Sequence, residues 1–119
     1  MSKKQTLSKE LIAASSESAI LTILKRGENY GYAIIQQVQI CSENQMQWTE
    51  GMLYPVLHRL EAKGFIVSRW AAGEGGPRRK FYRITAQGRK QLDRHQKEWE
   101  IVSKTLRSLS RLCQTWTAK

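Results

Sequence analysis

The stretch from Thr49 to Thr85 constrains the fold more than any other part of this 119-residue chain. It opens with a short helix pattern. Thr49 is a good N-cap, because its hydroxyl accepts a backbone N–H that the first helical turn leaves free, and Gly64 is a natural stop. Between them one inward stripe recurs at helical spacing: Leu53, Val56, Leu57 and Leu60. Pro55 interrupts this pattern and removes a backbone hydrogen bond to the Gly51 carbonyl, so we expect an irregular first turn.

Two strands joined by a glycine-rich loop follow this helix. The residues at 65–70 and 80–84 predict the strands, and the segment 73–77 between them carries three glycines and a proline. We expect three consecutive cations at the tip of this hairpin: Arg78, Arg79 and Lys80. A helix that can enter a major groove, followed by a cationic hairpin, is typical of a winged helix-turn-helix DNA reader.

Helical patterns fill the rest of the chain. Apolar residues return to one face over 8–25 and again over 30–41, and the polar stretch 42–48 reads as a turn or tight link between helices. Thr85 can cap a last helix that runs to about Thr115. This helix carries two interleaved heptad series, one of Leu92, Trp99, Leu106 and Cys113, the other of His95, Val102, Leu109 and Trp116. Such a stripe needs a partner surface, which is either the first helix or, as we prefer, a second chain.

The predicted fold class is mainly α (α+β), a winged helix-turn-helix with a two-stranded β-wing and a long C-terminal dimerisation helix. We expect the DNA-binding domain with its N-terminal helix at 1–84 and the dimerisation helix at 85–119. A chain of this length suits one domain with a small core. The extra helix therefore gains most by packing against a second subunit.

The charge balance points to a polyanionic partner. Lysine and arginine total 20 against 10 acidic residues, which gives a formal net charge of +10. Such an excess favours nucleic acid or an anionic membrane surface. No apolar run approaches the ~20 residues of a membrane span, and no apolar signal core follows the basic start, so we expect a cytoplasmic protein. Cys41 and Cys113 are expected to be buried or half-buried thiols, without a metal or cofactor.

Three motifs resemble those of the PadR family of transcriptional regulators: NYGYAI at 29–34, EGMLYPVLHRLEAKGFI at 50–66 and GGPRRKFYRIT at 75–85. The resemblance covers nearly the whole chain, which is similar to short members with a single C-terminal dimerising helix. It implies a homodimer on a pseudo-palindromic operator, and many members are repressors that release DNA when a small molecule arrives. Met52 stands where the family commonly has Thr or Ser, which argues against polar base readout there, and Pro77 replaces a residue that is frequently basic or polar.

The residues expected to contact DNA lie on the second and third helices and on the wing: Tyr32, Glu50, Gly51, Met52, Tyr54, His58, Arg59, Lys63, Arg78, Arg79 and Lys80. Tyr54 can donate to a phosphate, and His58 or Arg59 can donate to base edges or phosphates. Alternatives remain for several of them. Arg59 can instead pair with Glu50 or Glu61, Lys63 can be a solvated cation, and Tyr32 can be a core aromatic.

Trp99 is the main candidate for ligand binding, because indole fits poorly in a tight two-stranded seam. The segment around it resembles that of multidrug-sensing PadR members, in which a Trp pair stacks planar aromatic ligands. That resemblance implies a ligand site at Trp99, lined by further residues of the last and first helices: His95, Val102, Leu106, Ala13 and Ser16. The alternative is a tryptophan that only fills the dimer interface.

No pattern in the sequence supports catalysis. His58 and His95 have no recognisable carboxylate or nucleophile partners, and the glycines of the hairpin do not open a helix as a phosphate-binding loop does. We therefore expect a DNA-binding regulator and no enzyme. Two rivals stay open. One is a protein-interaction module on the same fold, and the other is a non-specific architectural nucleic-acid binder.

Overall fold

The computed structural model describes residues 7–72 and 75–116, with side chains to residue 112. Within these ranges the chain forms four helices and three strands. In order they are α1 (Lys9–Arg26), β1 (Asn29–Tyr30), α2 (Gly31–Cys41), α3 (Glu50–Ala62), β2 (Ile66–Ala72), β3 (Arg78–Ile84) and α4 (Ala86–Trp116). This arrangement is a winged helix, as the sequence predicts.

Side-chain caps set the start of three helices. The Ser8 hydroxyl accepts from the Leu11 N–H at 3.2 Å, and the Thr49 hydroxyl accepts from the Met52 N–H at 3.2 Å. Thr85 accepts from the Gly88 N–H at 3.0 Å and donates to the Gly64 carbonyl at 2.7 Å, so one hydroxyl ties the start of α4 to the end of α3. Each cap satisfies an N–H that the first helical turn leaves free.

The helix α3 is continuous, so the prediction of an irregular first turn was wrong. Pro55 lies inside the helix, and both Pro55 and Gly51 are exposed. Water can therefore reach the Gly51 carbonyl that the proline leaves without its helical partner. After α3 the chain turns at Gly64, whose φ of 81° lies in the left-handed region that favours glycine.

The wing differs from its prediction in two ways. The structure adds β1, which pairs with β3 so that Tyr30 lies opposite Phe81, and β3 is the central strand of the sheet. The two long strands also extend further towards the loop than predicted, since Ala72 pairs with Arg78. The three wing cations therefore lie within β3 and not at the tip, because cross-strand pairing continues beyond the β-branched residues that mark a strand in sequence.

The hydrophobic core lies where α1, α2, α3, the sheet and the start of α4 meet. The predicted stripe of α3 is buried there. Trp48 was read as part of a polar link, but it is buried in the core, and the N–H of its indole has no hydrogen-bond partner among the described residues. Cys41 was expected to be buried or half-buried, and it is exposed at the end of α2. Cys113 and Trp116 lie outside the described side chains.

The helix α4 divides into two parts. Its first turns pack on α1: Leu92 is fully buried, and His95 Nδ1 lies 3.1 Å from the Ser18 hydroxyl. Beyond them the apolar side chains are exposed in the single chain: Trp99, Ile101, Val102, Leu106, Leu109 and Leu112. The alternative of packing on the first helix thus holds for the start of α4 only. No described helix is long and apolar enough to cross a membrane.

Candidate nucleic-acid interface

A cleft of about 370 Å³ opens where the start of α2, the outer face of α3 and the wing converge. Its walls combine tyrosine and tryptophan rings with three cations: Tyr30, Gly31, Tyr32, Tyr54, Trp70, Arg78, Arg79 and Lys80. Tyr32 is 58% exposed, so its alternative as a core aromatic was wrong. The buried tyrosine is Tyr82, whose pKa is raised above its ordinary value by burial and, to a lesser extent, by Tyr54 and Glu61.

A glycine allows the helices to approach closely at this cleft. A Cβ built on Gly31 would lie 2.6 Å from the Tyr54 hydroxyl oxygen and 3.5 Å from Leu53 Cδ2. Only a residue without a side chain leaves room for Tyr54 in this position. Gly31 lies within the NYGYAI motif, but its neighbour Tyr54 is more than twenty positions away, so the sequence could not assign this role.

Aromatic rings hold two of the three wing cations in place. The Arg79 guanidinium lies 4.4 Å from the centre of the Tyr30 ring, and Tyr30 meets Phe81 edge to face at 5.5 Å. Lys80 Nζ lies 5.7 Å from the centre of the Tyr82 ring. Contacts of this kind attract a cation to the negative face of the ring. Arg79 and Lys80 are therefore held against aromatic rings of the sheet, and all three cations lie within β3.

The outer face of α3 presents four of the predicted residues to solvent: Glu50, Gly51, Tyr54 and His58. Met52 behaves differently, since it is half-buried and packs against the core. It therefore contributes at most part of its side chain to this face, as expected of an apolar residue one position before the buried Leu53.

Arg59 and Lys63 at the end of α3 share a partner that the sequence did not reveal. Arg59 Nε and Lys63 Nζ lie 3.4 Å and 3.5 Å from the same carboxylate oxygen of Glu17 on α1. The predicted partners of Arg59, Glu50 and Glu61, were wrong. Glu61 instead accepts a hydrogen bond of 2.6 Å from Ser68 on β2.

A further ion pair links the loop between α1 and β1 to the wing. Arg69 donates two hydrogen bonds to the carboxylate of Glu28, at 2.7 Å and 2.8 Å. This hydrogen bonding lowers the pKa of Glu28 and raises that of Arg69. A two-pronged pair of this geometry fixes orientation as well as charge. It therefore helps to set the angle between β2 and the loop that precedes β1.

The predicted ligand site is only partly assembled in the single chain. Trp99, 38% exposed, borders a cavity of about 260 Å³ that His95, Val102, Glu98 and Ala14 also line. On its other side it borders an apolar groove of about 650 Å³ between α1 and α2.

Three predicted lining residues do not belong to either space. Ser16 faces the core of the fold and is only 1% exposed, and its hydroxyl donates to the Ala13 carbonyl at 2.8 Å. Neither Ala13 nor Leu106 lines the cavity or the groove beside Trp99. The α1 residues that line these spaces together with Trp99 include Ala14, Ser15 and Ser18, which are one or two positions away from the predicted ones.

Comparison with known proteins agrees with this architecture. The model of the PadR-like family of transcriptional regulators matches residues 20–94. A transcriptional regulator from Clostridium thermocellum superposes with a TM-score of 0.77 at 31% sequence identity, covering 84% of this chain and 97% of that one. A PadR-like transcriptional regulator from Bacillus cereus has a TM-score of 0.74 at 31% identity, with coverages of 85% and 96%.

A relative from Mycobacterium tuberculosis, the transcriptional regulator Rv3488, is 38% identical over 66 residues, which are 56% of this chain and 61% of that protein. PadR regulators bind DNA and commonly form dimers. The matched region contains α2, α3 and the whole wing, which together form the cationic cleft. The chain belongs to the PadR-like family of transcriptional regulators.

Proposed function

We propose that this regulator is a homodimeric repressor that reads a pseudo-palindromic operator with α3 and the wing. The observation that carries the proposal is the cleft between α2, α3 and β3, where aromatic hydroxyls and three cations converge, two of them held against aromatic rings. Phosphate neutralisation supplies most of the affinity of such a surface, and contacts to base edges supply the sequence preference.

The residues of this face divide by chemistry. Tyr32 and Tyr54 donate their phenolic O–H groups to phosphates, while His58 and Glu50 face the base edges from α3. The exposed backbone at Gly51 allows close approach. The wing cations contact the backbone or a narrow minor groove. Arg59, Lys63 and the half-buried Met52 lie at the margins of this contact.

The exposed half of α4 supports a dimer. Val102, Leu106 and Leu109 are each about half exposed in the single chain and lie on one heptad stripe. Four helical turns of exposed apolar side chains are costly in water, and a second copy of the same helix offers a self-complementary surface. A dimer built in this way would read half-sites about 10 base pairs apart.

A planar hydrophobic effector is proposed to bind beside Trp99 and to relieve repression. The support is the partly exposed indole between two apolar spaces that α1 and α4 border, with His95 and Val102 beside it. The effector acts only as far as it binds one dimer arrangement more tightly than the other.

In vitro site selection from a random duplex library tests the central claim. We expect a pseudo-palindromic consensus, with affinity that falls steeply as salt rises. Replacing Arg78, Arg79 and Lys80 together by alanine should reduce the slope of log affinity against log salt by up to ~3 per protomer. The matched control removes three exposed lysines from α4, at 90, 97 and 104, and should change the slope much less.

Other outcomes lead to the rivals. Salt-sensitive binding without any enriched sequence would indicate an architectural binder. Absence of DNA binding, or a wing variant that binds as well as the parent, would indicate a protein-interaction module.

The effector claim has its own test, with a planar aromatic dye as the probe. Trp99→Ala should abolish dye binding and dye-induced release of operator DNA, while Trp99→Phe should retain part of both, because an aromatic ring remains for stacking. Unchanged dye binding and release in Trp99→Ala would refute this role.

A further inference from the structure

We propose that Glu17 is an internal counter-anion that restrains Arg59 and Lys63 and thereby limits non-specific DNA binding. Glu17 is then a specificity-determining residue outside the DNA-facing elements. This inference rests on the proposed reading of DNA by α3, and it adds a restraint on the two cations at the end of that helix.

The geometry joins one carboxylate to two cations. Arg59 and Lys63 are four positions apart, so both project from one side of α3. Their charged nitrogens lie 3.4 Å and 3.5 Å from Oε2 of Glu17 on α1, which is 42 positions before Arg59 and 46 before Lys63. The Glu17 side chain is 16% exposed, whereas those of Arg59 and Lys63 are 52% and 51% exposed. The anion is thus held within the protein and the cations remain open to solvent.

This cluster contributes little to folding. Ion pairs between such exposed cations and a carboxylate have small effects on stability, because solvent screens them and the long side chains lose freedom. Its larger consequence is electrostatic. A fixed anion beside the end of α3 offsets part of the positive potential of two exposed cations, one in the last turn of that helix and one at its C-cap.

The effect differs between the two modes of DNA binding. Non-specific binding depends almost entirely on phosphate neutralisation, so it gains from every cation that is free to reach a phosphate. In the operator complex, base contacts fix α3 in the groove and leave Arg59 and Lys63 little freedom to search for phosphates. Releasing these cations from Glu17 therefore strengthens non-specific binding more than operator binding.

The experiment compares the parent dimer with Glu17→Gln, which keeps size and polarity and removes the charge. Affinity is measured for the selected operator and for a scrambled duplex over a range of salt concentrations. We expect the variant to bind the scrambled duplex roughly tenfold more tightly at low salt, with a slope steeper by ~1–2 per protomer. The ratio of operator to scrambled affinity should fall. A change in folding alone would not steepen the salt slope.

Two controls separate a local effect from bulk charge. Asp93→Asn removes the same charge from an exposed position on α4 and should leave the slope nearly unchanged. In an Arg59→Met/Lys63→Met background, Glu17→Gln should have no further effect. The proposal is overturned if Asp93→Asn raises the affinity for the scrambled duplex as much as Glu17→Gln does in the parent. It is also overturned if Glu17→Gln has its full effect in the Arg59→Met/Lys63→Met background, because the charge then acts at a distance.

The outcomes also distinguish this proposal from the proposed function. Weaker scrambled-duplex binding by Glu17→Gln would mean that Glu17 positions the cations for DNA contact, which contradicts a restraining role. If Arg59→Met/Lys63→Met leaves DNA binding unchanged while the wing variant loses it, the restraint is refuted and the DNA-binding function stands. If both variants bind DNA as well as the parent, the proposed function itself is refuted.

Discussion

Replacing Gly88 by alanine should destabilise the protein, although alanine is the better helix former. Gly88 is buried in the first turn of α4, and a Cβ built there would overlap the Phe65 carbonyl oxygen and lie 2.8 Å from Ile84 Cγ1. A carbonyl in the backbone cannot rotate aside, so α4 has to move. Overpacking costs about 1–3 kcal/mol or more, against a gain of at most ~1 kcal/mol from helix propensity.

Movement of α4 carries a second cost at its cap. The Gly88 N–H donates to the Thr85 hydroxyl, which in turn donates to the Gly64 carbonyl. Losing an N-cap interaction typically costs ~1 kcal/mol. We therefore expect the free energy of unfolding to fall by about 1–3 kcal/mol in Gly88→Ala.

The matched control is the same substitution at Gly51. There the nearest heavy atom to a new Cβ is the Thr49 hydroxyl oxygen at 3.9 Å, an ordinary contact, and the position is exposed. Gly51→Ala should therefore stabilise the protein by about 0.4–1 kcal/mol, through the reduced freedom of the unfolded chain. If the backbone at Gly51 approaches DNA, the same variant should also bind the operator more weakly.

Urea unfolding followed by circular dichroism measures both variants. Protomer concentration has to be identical, because the proposed association of subunits would contribute to the apparent stability. The slope of the unfolding free energy against urea concentration should equal that of the parent if a substitution changes only the native packing. A Gly88→Ala variant as stable as the parent would refute the steric argument, and so would equal shifts for the two substitutions.

Three further predictions test the core, the proposed dimer helix and the wing. Burial raises the pKa of Tyr82, so the stability that its neutral form contributes is complete below pH 10 and is lost as pH rises through the folded pKa. In an alkaline absorbance titration, Tyr82 should ionise after the other tyrosines and together with unfolding, and Tyr82→Phe should remove that step. Leu92→Ala should cost about 2–5 kcal/mol of unfolding free energy, whereas Leu106→Ala should mainly weaken association in analytical ultracentrifugation. Tyr30→Leu should lower DNA affinity and Tyr30→Phe should not, because only a ring holds Arg79; equal affinities of the two variants would contradict this.

Local interactions determined much of this protein from sequence alone. The stripe of α3, its Thr49 cap and its end at Gly64 all follow from contacts between residues within a few positions of each other, and all are present in the structure. The same is true of the Thr85 cap. The motifs around these elements also identified the family, through their resemblance to the motifs of its members.

The long-range contacts were decided by the tertiary structure. The pairing of β1 with β3 brings Tyr30 beneath Arg79, and the packing of α1 on α3 brings Glu17 to Arg59, although these partners are 42 or more positions apart. No local pattern encodes such a meeting, because it depends on how whole elements cross.

The sequence also failed to determine which side of α1 faces the spaces beside Trp99. The sequence indicated that α1 contributes to the surface around Trp99, but it chose Ser16, which faces the core, in place of Ala14 and Ser18. Neighbouring positions on a helix are about 100° apart, so an error of one or two positions moves a side chain to another face. The sequence alone determined the four helices, the two long strands of the wing and the caps at Thr49 and Thr85. The angle and phase at which the elements pack decided which side chains meet, because they depend on contacts across the whole core.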